Sequence, residues 1–177
     1  MRFAMKTILV VAAVVYAATA HAQPKPGGGG GHGPSGGGGG APAGMIVKLK
    51  AEQIAQLFND AGFQSKVVDN DGTHMVVTSF WSDQVFSGAI PQSCEKDGSG
   101  CHAFKLFANL GSDTGVSQAW IDAWNNNWLF VHAYKLENGS LIFAWDVALL
   151  TGVTPDYVKT AAKLFKTIVD ESSDFKP

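Results

Sequence analysis

The sequence predicts an α+β domain in which helices pack on an antiparallel sheet, in the order α-ββββ-α-ββ-α. Three observations carry this expectation. Three segments repeat apolar side chains at helical three- and four-residue steps; six short stretches rich in Val, Ile, Phe, Trp and Tyr lie between them; and turns such as Asn138-Gly139 join neighbouring stretches too tightly for parallel crossovers.

The first helix is expected over residues 51–61, where Ile54, Leu57, Phe58 and Ala61 form one stripe and Gly62 supplies the left-handed stop. Residues 63–69 and 74–81 read as strands around Asn70-Asp71-Gly72, and residues 85–90 and 102–110 as two more. Residues 116–128 read as helical because Val116, Trp120, Trp124 and Trp128 advance by four and Ile121 widens the stripe. Residues 129–135 and 141–147 form a hairpin. A type I′ turn centred on Asn138-Gly139 sets Glu137 opposite Ser140, Tyr134 opposite Phe143 and His132 opposite Trp145. That register puts Phe130, His132, Tyr134, Phe143, Trp145 and Val147 on the core face, with Val131, Ala133, Lys135, Ala144 and Asp146 on the other. The last helix opens with Thr154 as N-cap and Pro155 at its first position, and buries Val158, Ala161, Ala162, Phe165, Ile168 and Val169.

The 177 residues divide into three parts. Residues 1–22 read as an export signal: Arg2 and Lys6 precede an uncharged run rich in Ile, Leu, Val and Ala, and Ala20-His21-Ala22 offers small residues at the cleavage site. The run is too short for a membrane anchor, and no later segment is long and apolar enough to span a bilayer. Residues 23–44, with 12 of the 21 glycines, have no large apolar side chain to bury and read as a flexible tether. His32 in this tract is a lone imidazole rather than a metal site. The domain is therefore residues 45–177, expected outside the cytoplasm, in a bacterial periplasm. Its ten lysines stand against fifteen acidic residues, and the chain's one arginine is Arg2, so nucleic-acid binding is excluded as a main function.

Cys94 and Cys101 bracket a polar, glycine-containing segment that reads as a turn between two strands. In an oxidising compartment a disulfide is expected there; the spacing lacks the CxxC pattern of a redox site. Asp69-Asn70-Asp71-Gly72 opens like a calcium loop but lacks the further oxygen ligands, so it reads as a turn. No nucleophile elbow, phosphate loop or metal-ligand spacing is present, and no cofactor, metal or catalytic residue is expected. Asp146 and His132 remain as a candidate polar site, each with a structural reading as the stronger one. Trp120, Trp124 and Trp128 are candidate partner-binding anchors, with core packing as the alternative.

The run Ile54-Ala55-Gln56-Leu57-Phe58-Asn59-Asp60-Ala61-Gly62-Phe63 resembles the opening helix of YbjN-domain proteins, named as bacterial sensory transduction regulators. His102 to Ala108, Ile121-Asp122-Ala123-Trp124-Asn125, and Leu141 to Val147 with Asp146 resemble further segments of that family in order and spacing. The resemblance covers residues 47–172 and implies a fold similar to type III secretion chaperones, which bind protein segments and often dimerise. It implies no catalytic residues. The expected function is accordingly a secreted, non-enzymatic domain that binds a partner protein or a second copy of itself, in a chaperone-like or regulatory role. The alternative is a periplasmic binder of a small ligand or carbohydrate through exposed tryptophans; a groove or sheet edge marks the first, a concave pocket the second.

Overall fold

A computed structural model describes residues 44–70, 72–81, 85–97, 99–112 and 114–176. The expected export signal, and all of the expected tether except Gly44, lie outside the described residues. The elements are α1 (Ala51–Asp60), β1 (Ser65–Asn70), β2 (Thr73–Thr78), β3 (Phe86–Cys94), β4 (Cys101–Asn109), α2 (Gln118–Asn127), β5 (His132–Lys135), β6 (Leu141–Ala148) and α3 (Pro155–Asp170), followed by one short 3-10 turn. This is the expected order. The strands form one six-stranded sheet, β1-β2-β3-β4-β6-β5, with every neighbouring pair antiparallel.

Local chemistry accounts for the helix starts. The hydroxyls of Ser117 and Thr154 accept the backbone N–H groups of Trp120 and Tyr157, each at 3.2 Å, satisfying donors that the helices themselves leave free. Each helix then turns its apolar stripe to the same face of the sheet. Ile54 and Phe58 of α1, Ile121 and Trp124 of α2, and Val158, Ala162 and Phe165 of α3 meet Val76, Ala89, Phe104, Leu106, Ala108, Phe143 and Val147 in one core. The strand expected over 74–81 ends at Thr78, because Phe80 N–H bonds back to Thr78 O and the Phe80 ring turns inward among Phe58, Phe63 and Phe165.

The β5–β6 hairpin departs from the expected register by one residue. His132 lies opposite Ala144, Ala133 opposite Phe143 and Tyr134 opposite Ile142. A type I′ turn needs positive φ at both central residues, but only Gly139, at φ 83°, has it; Asn138 does not. Gly139 N–H bonds to Leu136 O and Leu136 N–H to Ser140 O, so the loop takes three residues and ends on a glycine bulge. The extra residue moves every β5 side chain to the other face. Val131 and Ala133 are buried, whereas Phe130, His132 and Tyr134 point out; Phe143 and Val147 of β6 keep their expected place in the core.

Candidate functional site

Among the described residues all three helices cover one face of the sheet, and no helix lies on the other. Alternation along the strands assigns Met75 and Val77 of β2, Phe86, Gly88 and Ile90 of β3, Lys105 and Phe107 of β4, Ile142, Ala144 and Asp146 of β6, and His132 and Tyr134 of β5 to this open face. Met75, Phe107, Ile142 and Ala144 are each only 6% exposed, yet they stand outside the core cluster. The Phe86 ring lies 5.4 Å from that of Phe107 and shields part of it. Phe86 and Tyr134 remain 45% and 40% exposed. Gly88, in register with Phe107 and Val77, adds no side chain and keeps the middle of the face flat.

A single ion pair marks this surface in the register Lys105↔Asp146, with Lys105 Nζ 3.7 Å from Asp146 Oδ1. Asp146 therefore stands beside a lysine on the neighbouring strand and is exposed. His132 shares the open face but sits opposite Ala144, two residues from Asp146 along β6, rather than packed beside Trp145 as expected. Lys105 was missed as a site residue, as were Met75, Phe86, Phe107 and Tyr134. A signal for them is present: Phe104-Lys105-Leu106-Phe107-Ala108 and Leu141-Ile142-Phe143-Ala144-Trp145 are apolar at both parities, the mark of a strand with two apolar faces.

The tryptophan stripe has another role. Trp124 is fully buried, and its Nε1 donates to Val131 O at 2.9 Å. Trp120 stacks on it at 5.4 Å, Trp128 lies 5.4 Å from it on the other side, and Phe175 meets both Trp120 and Trp124 edge-on at 5.3 Å. Trp120 and Trp128 are half-buried against the core, and Trp120 Nε1 donates to Phe175 O. The stripe is a ladder around a buried Trp124 that holds α2 and the C-terminal segment together, so Trp124 offers no surface to a partner.

Two asparagines that sequence reasoning passed over tie helices to the outer strands. Asn59 at the end of α1 accepts Ser65 N–H at 2.7 Å and donates to Ser65 O at 3.2 Å; Asn125 of α2 does the same with Ala133 at 2.7 and 2.9 Å. Each carboxamide takes the place that a further strand would occupy at that residue. The expected disulfide joins Cys94 to Cys101, which face each other at the end of the β3–β4 hairpin. Beside it, a cleft of about 740 Å³ opens between the N-terminus of α1 and the β1–β2 turn, with Lys50, Glu52, His74 and Pro91 in its wall. Among the described residues no three His, Cys, Asp or Glu side chains gather as a metal site, and no helix is long and apolar enough to cross a membrane.

Three helices on one face of a six-stranded antiparallel sheet, with the other face open and apolar, define the class of this domain. The chain belongs to the YbjN family, described as putative bacterial sensory transduction regulator, whose model matches residues 50–175. Among solved structures it is similar to the crystal structure of YbjN, a putative transcription regulator from E. coli, at 12% identity and a TM-score of 0.53, covering 73% of this chain and 94% of that one. It is also similar to the Yersinia pestis type III secretion chaperone SycH in complex with a stable fragment of YscM2, at 12% identity and a TM-score of 0.45, covering 71% and 98%. No individually curated protein shows significant sequence similarity to it.

Proposed function

We propose that this domain is a non-enzymatic protein-binding module with a chaperone-like or regulatory role, and that its open sheet face receives an amphipathic segment of a partner protein. One observation carries the reading: on the sheet face opposite the three described helices, exposed Phe86 and Tyr134 flank a contiguous apolar row of Phe107, Ile142 and Ala144, with the Lys105–Asp146 charge pair beside it. An apolar stripe on the partner fits the row through Val77, Gly88, Phe107 and Ala144, while the charge pair fixes its orientation through an opposed pair of its own. The blocked positions at Ser65 and Ala133 favour this face over strand addition at those points. The leader at 1–22 and the tether at 23–44 complete the proposal: the domain works in the periplasm, held at a distance from its neighbours by a glycine-rich arm.

A photo-activated crosslinker placed at Phe86 or Tyr134, and at Leu164 on the outer side of α3 as a control, tests the reading in cells producing the full chain. Crosslinked protein adducts at the two sheet positions and none at Leu164 are expected. Adducts of the chain with itself, matched by a dimer in light scattering, replace the partner with a second copy. No adduct at either sheet position refutes the open face as the docking surface.

A further inference from the structure

The segment that leads into the domain is held down by the disulfide hairpin. Ile46 exchanges backbone hydrogen bonds with Val153, and Leu49 exchanges them with Cys101 itself, at 2.8 and 2.9 Å. Lys48 Nζ donates to Ser99 Oγ at 2.8 Å within the disulfide loop. Between these contacts sits His102, the residue after Cys101, with Nδ1 3.0 Å from Val47 O and Nε2 2.8 Å from Glu95 Oε1. Val47 O is a carbonyl and Glu95 a carboxylate, so both partners are acceptors. A neutral imidazole carries one N–H and can serve only one of them; the imidazolium serves both.

We propose that His102 is a charge-dependent latch: protonated, it pins the strap formed by residues 46–49 to the disulfide hairpin, and on losing its proton it lets the strap go. Ser93, one residue before Cys94, is the one non-glycine among the described residues with positive φ, at 53°, and it lies across the ladder from His102, between the Gln92↔Ala103 and Cys94↔Cys101 pairs. A side-chain-bearing residue held in that region is a local strain kept in place by its surroundings. The charged groups facing His102 are Glu95 on the hairpin and Lys48 on the strap. Lys48 opposes protonation but is turned to Ser99, and the hydrogen bonds to Glu95 and then to Val47 dominate, raising the His102 pKa above its usual value. Since the raised pKa belongs to the docked strap, docking gains its full contribution below the ordinary histidine pKa and loses it as pH rises through the raised one. The strap and α1 together wall a cleft of about 410 Å³, with Val47 and Leu49 on one side and Gln53, Gln56 and Leu57 on the other, and release would remove the strap side of it.

The test is amide hydrogen exchange on the mature, oxidised chain, with rates divided by intrinsic rates at each pH. The Leu49 and Ile46 amides report the strap and the Leu106 amide reports the sheet. Strap protection is expected to fall roughly tenfold between about pH 5.5 and about pH 8.5 while Leu106 is unchanged. In His102→Gln strap protection becomes independent of pH. In Glu95→Gln the fall moves to lower pH, together with the His102 titration followed by NMR. Protection that is flat with pH in the parent chain, that keeps its pH dependence in His102→Gln, or that falls in step with Leu106 overturns the latch.

Discussion

The Asn125 side chain holds both backbone groups of Ala133, accepting its N–H at 2.7 Å and donating to its carbonyl at 2.9 Å. An amide side chain suits this pairing because it carries a donor and an acceptor side by side on one planar group, as a peptide edge does. β5 is only four residues long, and its outer edge would otherwise leave Ala133 to water or to another chain. Asn125→Ala should cost about 1–3 kcal/mol in denaturant unfolding, and Asn125→Asp should cost no less, because the carboxylate opposes the Ala133 carbonyl it can no longer donate to. An aspartate variant as stable as the parent would show that the donor half of the pairing contributes nothing.

Gly88 of β3 lies against the backbone of β2, opposite Val77. A Cβ there would sit 1.8 Å from Val76 O, a backbone atom that cannot swing aside. Gly88→Ala should therefore destabilise by more than about 2 kcal/mol, the range of overpacked sites that cannot relax. Gly139→Ala is the comparison: its Cβ meets only Ser112 Cβ at 3.7 Å, so the cost reduces to the left-handed backbone, about 1 kcal/mol. Equal losses in the two variants would mean that β2 and β3 separate to admit the methyl group.

The helices were legible in the sequence because each carries its stripe and its cap in consecutive residues: Thr154-Pro155 marks the start of α3, and the buried positions from Val158 to Val169 repeat its period. The three hairpin pairings were legible through the tight turns; the β2–β3 and β4–β6 pairings that join them into one sheet were not. The facing of β5 was not, because Glu137-Asn138-Gly139 admits a two-residue loop, with Glu137 in the strand and positive φ at Asn138, or a three-residue loop with neither, and that choice reverses the whole strand. The tryptophan ladder and the open face exchanged places for a related reason. Spacing shows that Trp120, Trp124 and Trp128 share a stripe but not whether the stripe faces in, which the burial of Trp124 decides; a sheet with both faces apolar does not reveal which face the helices take.

Export and oxidation are expected to leave one defined product. Intact-mass analysis of the periplasmic fraction should show a chain that begins at Gln23 and carries the Cys94–Cys101 bond. On the chain-entropy model a loop this short contributes about 2–3 kcal/mol, so the reduced protein should unfold at correspondingly lower denaturant. A mass that retains residues 1–22, or thiols that react with a maleimide before any reductant is added, would contradict the expectation.

Two tryptophans offer the same chemical change in opposite circumstances. Trp124 is fully buried and its indole N–H is satisfied by Val131 O; the Trp128 indole N–H is buried without a hydrogen-bond partner among the described residues. Replacing either by phenylalanine shortens the ring and removes the N–H. At Trp124 this leaves a void in the ladder and an orphaned carbonyl at Val131, terms that act in the same direction and should together cost about 3 kcal/mol or more. At Trp128 the lost volume is opposed by removal of a donor that is desolvated without compensation, and the net change should stay within about 1 kcal/mol. Denaturant unfolding of Trp124→Phe and Trp128→Phe measures the difference. A Trp128 variant as damaged as the Trp124 variant would mean that its N–H finds an acceptor in solution, most simply a bound water, and that the ladder depends on all three rings equally.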